Sequence, residues 1–539
     1  MNAFRQCVVS ALLLLLFSSF ASGQVIRTAS EEASFEVYTS YEEMMEYLEN
    51  IQATTTEMLL SDFGKTIEGR KQPYTIFSRP LITAPWQAMT SGKPIVLLGA
   101  NIHGGEKTVR ESLLILIREL ATIGSDMNGL LDDLVVLVVP SINPDGFVHG
   151  SRGNITGVDM NRDWVKLEQL ALQNYIQNII QTWHPHVYLD AHNGGSRPYN
   201  ITYQGPPHSA ADQRITALCD HGLFPYIDSK IEEGGYKSWY YSGGDSTQWR
   251  TAPSFVRGSI GYGGLIDAMS ILFESPGQDR ESGAKSGLIA SRAILEYVAD
   301  NAEEVIMTVE RARRETIEMG QTAQGEIPVR TEQVAEPYKV SYEISIIPSG
   351  RREGESREDA NKRSQVVPIT GADLIKKPVA TKTRPLPYAY ILEIRANKAI
   401  EMLKRHKVTI EVLREDVEIP FEAYGLLRIV RDSQADHPAH VDSCIVAEET
   451  VKDTTVFPKG TYIIRTSQPL GRLIAHVLEP ETPDNVVTWN MMEAILPRLR
   501  GARSGNRTGA GQQEDRPAPI IPIFKLMEPT KLPTKLLKY

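Results

Sequence analysis

The stretch PIVLLGANIHGGE, residues 94–106, joins an apolar run of strand length to a histidine and a glutamate. A second continuous apolar run, LVVLVVP, occupies residues 134–140. Runs of this kind are typical of strands covered on both faces, as in a largely parallel sheet. Between them, residues 107–122 have the apolar spacing of an amphipathic helix. These patterns predict an α/β fold with a mixed, largely parallel, twisted sheet flanked by helices.

The same alternation of helices and strands continues along the first three fifths of the chain. Short strands are predicted at residues 187–191 and 270–273, where apolar runs end at polar residues. Helical spacing of apolar residues predicts further helices at 41–53, 165–183 and 286–318. We therefore assign residues 24–320 to one α/β domain.

Beyond residue 320 the character of the sequence changes. Residues 349–385 are rich in charge, serine and proline. Short, partly alternating, β-branched stretches then follow, with a helix between the first two of them, at 388–395, 397–404 (helix), 408–413, 418–430 and 461–465. These features predict a smaller β-rich domain over 325–500. The glycine- and proline-rich residues at 501–539 predict a flexible tail.

The N-terminus has the pattern of a signal peptide. Arg5 provides a positive charge, residues 8–20 are apolar apart from serines, and small residues follow at 21–23. A membrane anchor is the alternative, but the apolar run is shorter than the ~20 residues that a membrane-spanning helix needs. Residues 1–23 are therefore predicted to be removed before Gln24, which makes the mature protein secreted or periplasmic and without a membrane span.

Charge and cysteine content limit the partners and the covalent framework. The formal net charge is −10 and no basic stripe is present, so nucleic acid is excluded as a partner. Cys7 is lost with the signal peptide, which leaves Cys219 and Cys444. One disulfide between domains and two free thiols both remain possible in an oxidising compartment.

Residues with metal-binding chemistry follow three of the predicted strands. His103 and Glu106 follow the first apolar strand, while His192 and Glu274 each directly follow a later one. In open α/β sheets, ligands bind at the carboxyl ends of the strands. The i, i+3 spacing of His103 and Glu106 places both side chains on one side of a turn. Two imidazoles and one carboxylate form the open three-ligand zinc site of hydrolases, so we predict one Zn²⁺ at His103, Glu106 and His192.

Six segments, in order, resemble motifs of the zinc carboxypeptidases of the carboxypeptidase A type. The resemblance covers about residues 38–310, and its motifs are GKTIEGR at 64–70, His103 with Glu106, NPDGF at 143–147, GVDMNR at 157–162, His192 and Glu274. It implies the zinc carboxypeptidase fold for the first domain. It also implies that the substrate is a peptide with a free C-terminal carboxylate.

The resemblance also implies roles for individual residues. Glu274 would act as the general base that takes a proton from the metal-activated water. Arg152 would stabilise the developing oxyanion with its fixed charge. Asn161 and Arg162 would bind the terminal carboxylate, because a guanidinium matches a carboxylate bidentately. Asp159 would accept the second N–H of a zinc-binding histidine and fix its tautomer.

The sequence departs from the family pattern at two points. Gly105 stands where digestive members carry an arginine, so that substrate contact is missing. The tyrosine expected to cap the substrate is assigned to Tyr262, with Tyr240 and Tyr241 as alternatives.

The function predicted from these observations is that of a zinc metallocarboxypeptidase acting on peptides outside the cytoplasm. One alternative on the same fold is a cell-wall peptide amidase or deacylase, because the stem peptides of peptidoglycan also end in carboxylates. A catalytically inactive peptide-binding protein is the other alternative. It would require the loss of a ligand or of the base, and neither is lost.

Overall fold

The computed structural model describes residues 25–253, 255–348, 350–433, 440–497 and 518–538. The predicted signal peptide, residues 1–23, lies outside them. In the part of the chain that is described, every helix is too short or too polar to cross a bilayer.

The first domain is built on an eight-stranded mixed sheet. The first ten strands of the chain are β1 Met58–Lys65, β2 Lys71–Phe77, β3 Ile95–Ala100, β4 Val135–Val139, β5 Val187–His192, β6 Ile201–Gln204, β7 Ser238–Tyr240, β8 Ser242–Gly244, β9 Gln248–Thr251 and β10 Met269–Glu274. The sheet has the order β1-β2-β4-β3-β5-β10-β6-β7. Its four central strands, β4, β3, β5 and β10, are parallel, which confirms the predicted fold class.

Helices cover both faces of this sheet. The helices up to residue 322 are α1 Ala29–Glu32, α2 Tyr41–Gln52, α3 Pro85–Met89, α4 Thr108–Ala121, α5 Asp126–Gly129, α6 Pro144–His149, α7 Leu170–Tyr175, α8 Gln181–Trp183, α9 Gln213–Leu218, α10 Phe224–Glu233, α11 Ser259–Leu265, α12 Arg280–Asp300 and α13 Ala302–Thr322. Those predicted at 41–53 and 107–122 form within one or two residues of their predicted limits.

Two predicted helices differ from the structure for local reasons. The helix predicted from residue 165 begins only at Leu170, because the Asp163 carboxylate accepts the backbone N–H groups of Glu168 and Gln169 and holds a turn there. A π-helical turn, Ile176–Ile180, then joins α7 to α8. The helix predicted over 286–318 is two helices, because Asn301 has a non-helical backbone between α12 and α13.

A long antiparallel ribbon follows the α/β domain. Its strands, β11 Glu326–Ile346 and β12 Gln365–Pro385, have 21 residues each, and α14, Arg357–Lys362, lies between them. β12 also pairs with β9, so the ribbon forms a four-stranded sheet with β8 and β9. Much of the ribbon is exposed on both faces, which explains why its sequence is polar rather than apolar.

The C-terminal region, residues 386–538, is built mainly on a seven-stranded antiparallel sheet. Its elements are β13 Ala389–Leu392, α15 Asn397–Arg405, β14 Glu411–Leu413, β15 Val417–Ala423, β16 Leu426–Ser433, β17 His440–Val446, β18 Val451–Phe457, β19 Tyr462–Arg465, α16 Gly471–Leu478, β20 Ile523–Leu526 and β21 Thr534–Leu536. The sheet has the order β18-β15-β20-β13-β19-β14-β21, and β16 and β17 form a separate hairpin.

The prediction of a flexible tail over 501–539 is wrong for residues 518–538. β20 pairs with β13 and β15 in the middle of the seven-stranded sheet, and β21 pairs with β14 at its edge. Apolar side chains such as Ile523 and Leu526 are buried there. The last two strands of the chain, β20 and β21, therefore complete a sheet whose other five strands lie between residues 389 and 465.

The C-terminal region shares a hydrophobic core with the α/β domain. One face of the eight-stranded sheet packs against α2, α4 and α12. On the other face, buried residues of the sheet such as Leu97 and Leu137 belong to one apolar cluster with Leu403 and Ile474 of the C-terminal region. Cys219 and Cys444 are both free thiols in this structure.

Candidate active site

The first two predicted ligands lie in a turn just after β3. Asn101, which has a positive φ of 63°, donates its side-chain amide to the carbonyl oxygens of His103 and Glu106 at 3.0 and 2.8 Å. Ser141, beyond the end of β4, in turn donates to the Asn101 side chain at 2.8 Å. This network fixes the turn before α4 begins at Thr108.

The third predicted ligand, His192, is the last residue of β5 and meets the other two. His103, Glu106 and His192 form the one group of three or more potential metal ligands found among the described residues. The Nδ1 atoms of the two histidines lie 3.0 Å apart, and each lies within 3.0 Å of a Glu106 carboxylate oxygen. The structure thus brings together the three residues that the sequence predicts as ligands.

In each of the two histidines, Nδ1 faces the other ligands and Nε2 lies beside a carboxylate. His103 Nε2 lies 2.9 Å from Asp159 Oδ1, as the family resemblance implies. His192 Nε2 lies 2.8 Å from Asp190 Oδ2, a partner that sequence reasoning missed. Asp190 is two residues before His192 on the same strand, so the period of two that puts both side chains on one face was the available signal. Partners of this kind fix the tautomer and orientation of metal-binding histidines.

This arrangement fits a zinc ion. With each Nε2–H donated to a carboxylate, the neutral form of each imidazole would direct its Nδ1 lone pair at one point. The carboxylate of Glu106 approaches the same point, with an oxygen within 3.0 Å of each Nδ1 atom. Two nitrogens and one carboxylate oxygen are the donor set of an open zinc site.

Glu274 ends β10 in parallel register with His192 on the neighbouring strand. Its side chain is only 8% exposed, and no described residue forms a hydrogen bond to its carboxylate oxygens. Burial raises its pKa to about 7, and the nearby Glu106 contributes in the same direction. A Cβ atom at Gly194 would lie 2.4 Å from Glu274 Oε2, so a side chain at this position would displace the Glu274 carboxylate. Glu274 is thus a confined carboxylate beside the three ligands.

Arg152 lies on the solvent side of the cluster. Its guanidinium donates to Asp159 Oδ2 at 3.0 Å and lies 3.3 Å from Glu106 Oε1, while more than half of its side chain is exposed. A side chain in this position can turn towards a bound substrate without crossing packed structure.

Asn161 and Arg162 lie in a short 3₁₀ turn, Met160–Arg162, behind Asp159. The Asn161 side-chain nitrogen is 3.2 Å from His192 Nε2, and its oxygen accepts the backbone N–H of Ser259 at 3.0 Å. The Arg162 guanidinium lies 4.8 Å from the centre of the Phe255 ring. Asn161 therefore contacts a predicted ligand directly, while Arg162 lies beside Asn161 and loop residue Phe255.

The tyrosine assigned from the sequence is wrong. Tyr262 is fully buried, and its hydroxyl is 3.2 Å from Nδ1 of His406 in the core. Tyr241, one of the two alternatives, is half-buried and lies near enough to Glu274 and Glu106 for their charges to act on its hydroxyl. Burial raises its pKa to about 12, with the charge of Glu274 adding to the shift and that of Arg162 opposing it.

Comparisons with known proteins show similarity to zinc carboxypeptidases. A model of the zinc carboxypeptidase family matches residues 44–250. Carboxypeptidase 2 of Trichophyton rubrum is 24% identical over 486 residues, which cover 84% of this chain and 84% of that protein. Carboxypeptidase E of Caenorhabditis elegans is 30% identical over 191 residues, covering 32% of this chain and 39% of that protein. The alignment with the fungal protein extends well beyond the segment that the family model matches.

Among solved structures, a putative carboxypeptidase A from Shewanella denitrificans is similar to part of the chain. The TM-score is 0.40 at 19% identity, and the alignment covers 48% of this chain and 70% of that one.

Proposed function

We propose, from the premise that this chain belongs to the zinc carboxypeptidase family, that it removes the C-terminal residue from peptides outside the cytoplasm. A location outside the cytoplasm is proposed because residues 1–23 have the pattern of a signal peptide. The roles of the individual residues rest on their positions around the three ligands. The observation that carries the proposal is the buried Glu274 carboxylate, in register with His192 and without a hydrogen-bond partner among the described residues.

His103, Glu106 and His192 would hold the metal. A zinc ion bound there would lower the pKa of a water molecule and polarise the carbonyl group of the peptide bond. Asp159 and Asp190 would keep both imidazoles in the tautomer that presents Nδ1.

Glu274 would accept the proton of the attacking water and deliver it to the leaving amine. Its buried position supports this role, because a carboxylate whose pKa is raised towards neutrality is a better base than one at its ordinary pKa. Arg152 would turn from Glu106 and Asp159 to the developing oxyanion, which its exposed position permits. Tyr241, on whose hydroxyl the charges of Glu274 and Arg162 act, would contact the bound substrate.

Arg162, with Asn161, would bind the free carboxylate of the substrate and so make the enzyme an exopeptidase. The Arg162 guanidinium lies against the Phe255 ring, and its charge acts on Asp159, the carboxylate that contacts His103 Nε2. A charge-assisted, bidentate pair at this point recognises a carboxylate and rejects the neutral amide.

Matched peptides that end in a free carboxylate or in an amide test this function. The unmodified enzyme should cleave the acid and scarcely cleave the amide. In Arg162→Ala, loss of the ionic partner costs on the order of 2–5 kcal/mol, so kcat/KM for the acid should fall by roughly 30-fold or more. Hydrolysis of the amide should scarcely change.

Arg250→Ala is the matched control, since Arg250 is an exposed arginine on β9. This variant should keep the preference for the acid. Equal cleavage of acid and amide by the unmodified enzyme would contradict the carboxypeptidase function and favour an amidase.

A further inference from the structure

Loop 255–259 contacts both Asn161 and Arg162. The backbone N–H of Ser259 donates to Asn161 Oδ1 at 3.0 Å, and the Phe255 ring lies 4.8 Å from the Arg162 guanidinium. The carbonyl of Arg257 accepts the N–H of Trp164 at 3.3 Å, just after Arg162 in the chain. The positions of both carboxylate-binding side chains therefore depend on where this loop lies.

A carboxylate of the C-terminal region holds the loop from the other side. Asp484 has no solvent exposure, and its Oδ1 lies 3.3 Å from Nη1 of Arg257. Its Oδ2 accepts the backbone N–H of Val256 at 3.3 Å. Asp484 stands 227 residues after Arg257 in the chain.

Asp484 itself is held in a rigid segment. The next residue, Asn485, is almost fully buried and donates its amide to the carbonyls of Pro480 and Thr482. Its side-chain oxygen accepts the backbone N–H groups of Val487 and Thr488. A carboxylate on such a turn has little freedom to follow the loop, so the loop must adapt to the carboxylate.

Burial of a carboxylate is costly unless charged and hydrogen-bonding partners compensate for it. The partners observed for Asp484, the Arg257 guanidinium and the Val256 N–H, both belong to loop 255–259. Displacement of the loop would leave the Asp484 charge buried and uncompensated. The C-terminal region is therefore tied energetically to one conformation of the loop.

We propose that Asp484 is a positioning residue for recognition of the substrate carboxylate, acting through loop 255–259 on Asn161 and Arg162. This inference rests on the proposed carboxypeptidase function. It gives the C-terminal region a part in the site: the described residues of this region supply no ligand and no base, but they fix the place where the C-terminus of the substrate binds. Displacement of a binding group by about 1 Å is enough to cost up to ~100-fold in rate.

Asp484→Asn tests the proposal, because the amide keeps the shape of the side chain but loses its charge. It also presents N–H groups where the carboxylate accepts from the Arg257 guanidinium and from the backbone N–H groups of Val256 and Arg257. The preference for the acid over the amide peptide should fall by about tenfold or more. The fall should come from a higher KM for the acid, with kcat within about threefold and one zinc per chain retained, because the loop touches neither His103 nor Glu106.

Glu481→Gln is the matched control. Glu481 is also a buried carboxylate of this segment, but its partners are Lys382 and Arg384 of the ribbon. This variant should keep the full preference for the acid. A fall in Glu481→Gln equal to that in Asp484→Asn would mean general loosening of the interface and would overturn the proposal.

A second variant, Phe255→Leu, and double-mutant cycles with Arg162→Ala keep the test decisive if Asp484→Asn does not fold. Phe255→Leu removes the aromatic contact with Arg162 and should also lower the preference for the acid. Combined with Arg162→Ala, either change should lower that preference by much less than it does alone, since both act largely through Arg162 and only the loop contact with Asn161 remains. Retention of the full preference in Phe255→Leu, or full additivity in the cycle, would overturn the proposal.

Acid and amide peptides distinguish a failure of the proposed carboxypeptidase function from a failure of the proposed role of Asp484. If the unmodified enzyme cleaves acid and amide equally, the carboxypeptidase function fails and the role of Asp484 fails with it. If the unmodified enzyme prefers the acid and Asp484→Asn keeps that preference unchanged, the role of Asp484 alone is overturned.

Discussion

The proposed site has two halves: a metal half, formed by the three ligands and Glu274, and a carboxylate half, formed by Asn161 and Arg162. Different kinds of contact hold these two halves in place. In the metal half, the ligands and Glu274 stand at the carboxyl ends of adjacent parallel strands, whose register places Glu274 opposite His192. In the carboxylate half, Asn161 and Arg162 stand in a short turn that is supported by loop 255–259. The first half depends on backbone hydrogen bonds within one sheet, and the second depends on side-chain contacts that reach the C-terminal region.

This difference indicates which properties of the enzyme can change independently. Metal affinity and the chemical step should resist changes in the C-terminal region, because the strand register and the carboxylates of Asp159 and Asp190 set the ligand positions. Recognition of the substrate's C-terminus should be sensitive to residues of the C-terminal region, such as Asp484. Mutations in the metal half should therefore abolish activity on every substrate, whereas mutations in the carboxylate half should change which substrate is preferred.

The largest effect is expected for His192→Ala, which removes a ligand from the metal half. A site with two remaining ligands should bind zinc far more weakly, so hydrolysis of acid and amide peptides should be lost together. Metal analysis beside activity assays checks this. The control is His149→Ala, since His149 is an exposed histidine that contacts Glu68 instead of the ligands. Stoichiometric zinc and full activity in His192→Ala would show that the third ligand is another residue.

A smaller but still large effect is expected for Glu274→Gln. The amide keeps the shape of the side chain but cannot take up a proton, so kcat should fall by about 10²–10⁴-fold while zinc is retained. Steady-state kinetics with metal analysis measures both quantities. Glu481→Gln, a change at a buried carboxylate away from the cluster, should leave kcat almost unchanged. Turnover of Glu274→Gln within a few-fold of the unmodified enzyme would mean that the base lies elsewhere.

The metal half could be predicted from the sequence because its signals are local. Each ligand lies within six residues of an apolar strand end, and strands that run in parallel deliver their carboxyl ends to one edge of the sheet. Asp190 was missed although it lies on the same strand face as His192. Tyr262 was preferred to Tyr241 because position in the chain does not show which tyrosine is buried behind the sheet.

The carboxylate half and the C-terminal region could be predicted only in part. The place of Asn161 and Arg162 in a family motif was visible, but the contact of Asp484 with Arg257 joins residues that are 227 positions apart. Long separation in sequence also explains why residues 518–538 were wrongly predicted to be part of a flexible tail. β20 has a central place in its sheet, yet its partners β13 and β15 lie about a hundred residues earlier, beyond the reach of local patterns.

Asp159 joins the two halves, and Asp159→Asn should therefore affect both of them moderately. Its Oδ1 receives His103 Nε2 and the backbone N–H of Asn161, each at 2.9 Å, and its Oδ2 receives Nε of Arg152. Loss of such a carboxylate typically lowers metal affinity by 10–100-fold. The acid preference should fall in the same variant, because the Asn161 turn loses its anchor.

Zinc titration and the acid and amide peptides, applied to this one variant, measure the two effects separately. Asp145→Asn is the control, since the Asp145 carboxylate contacts Thr66 and Arg70 and lies outside the ligand cluster. It should leave both quantities unchanged. Weaker zinc binding with an unchanged acid preference would mean that the turn of Asn161 and Arg162 is held by loop 255–259 alone. The two halves would then be independent even at the residue that connects them.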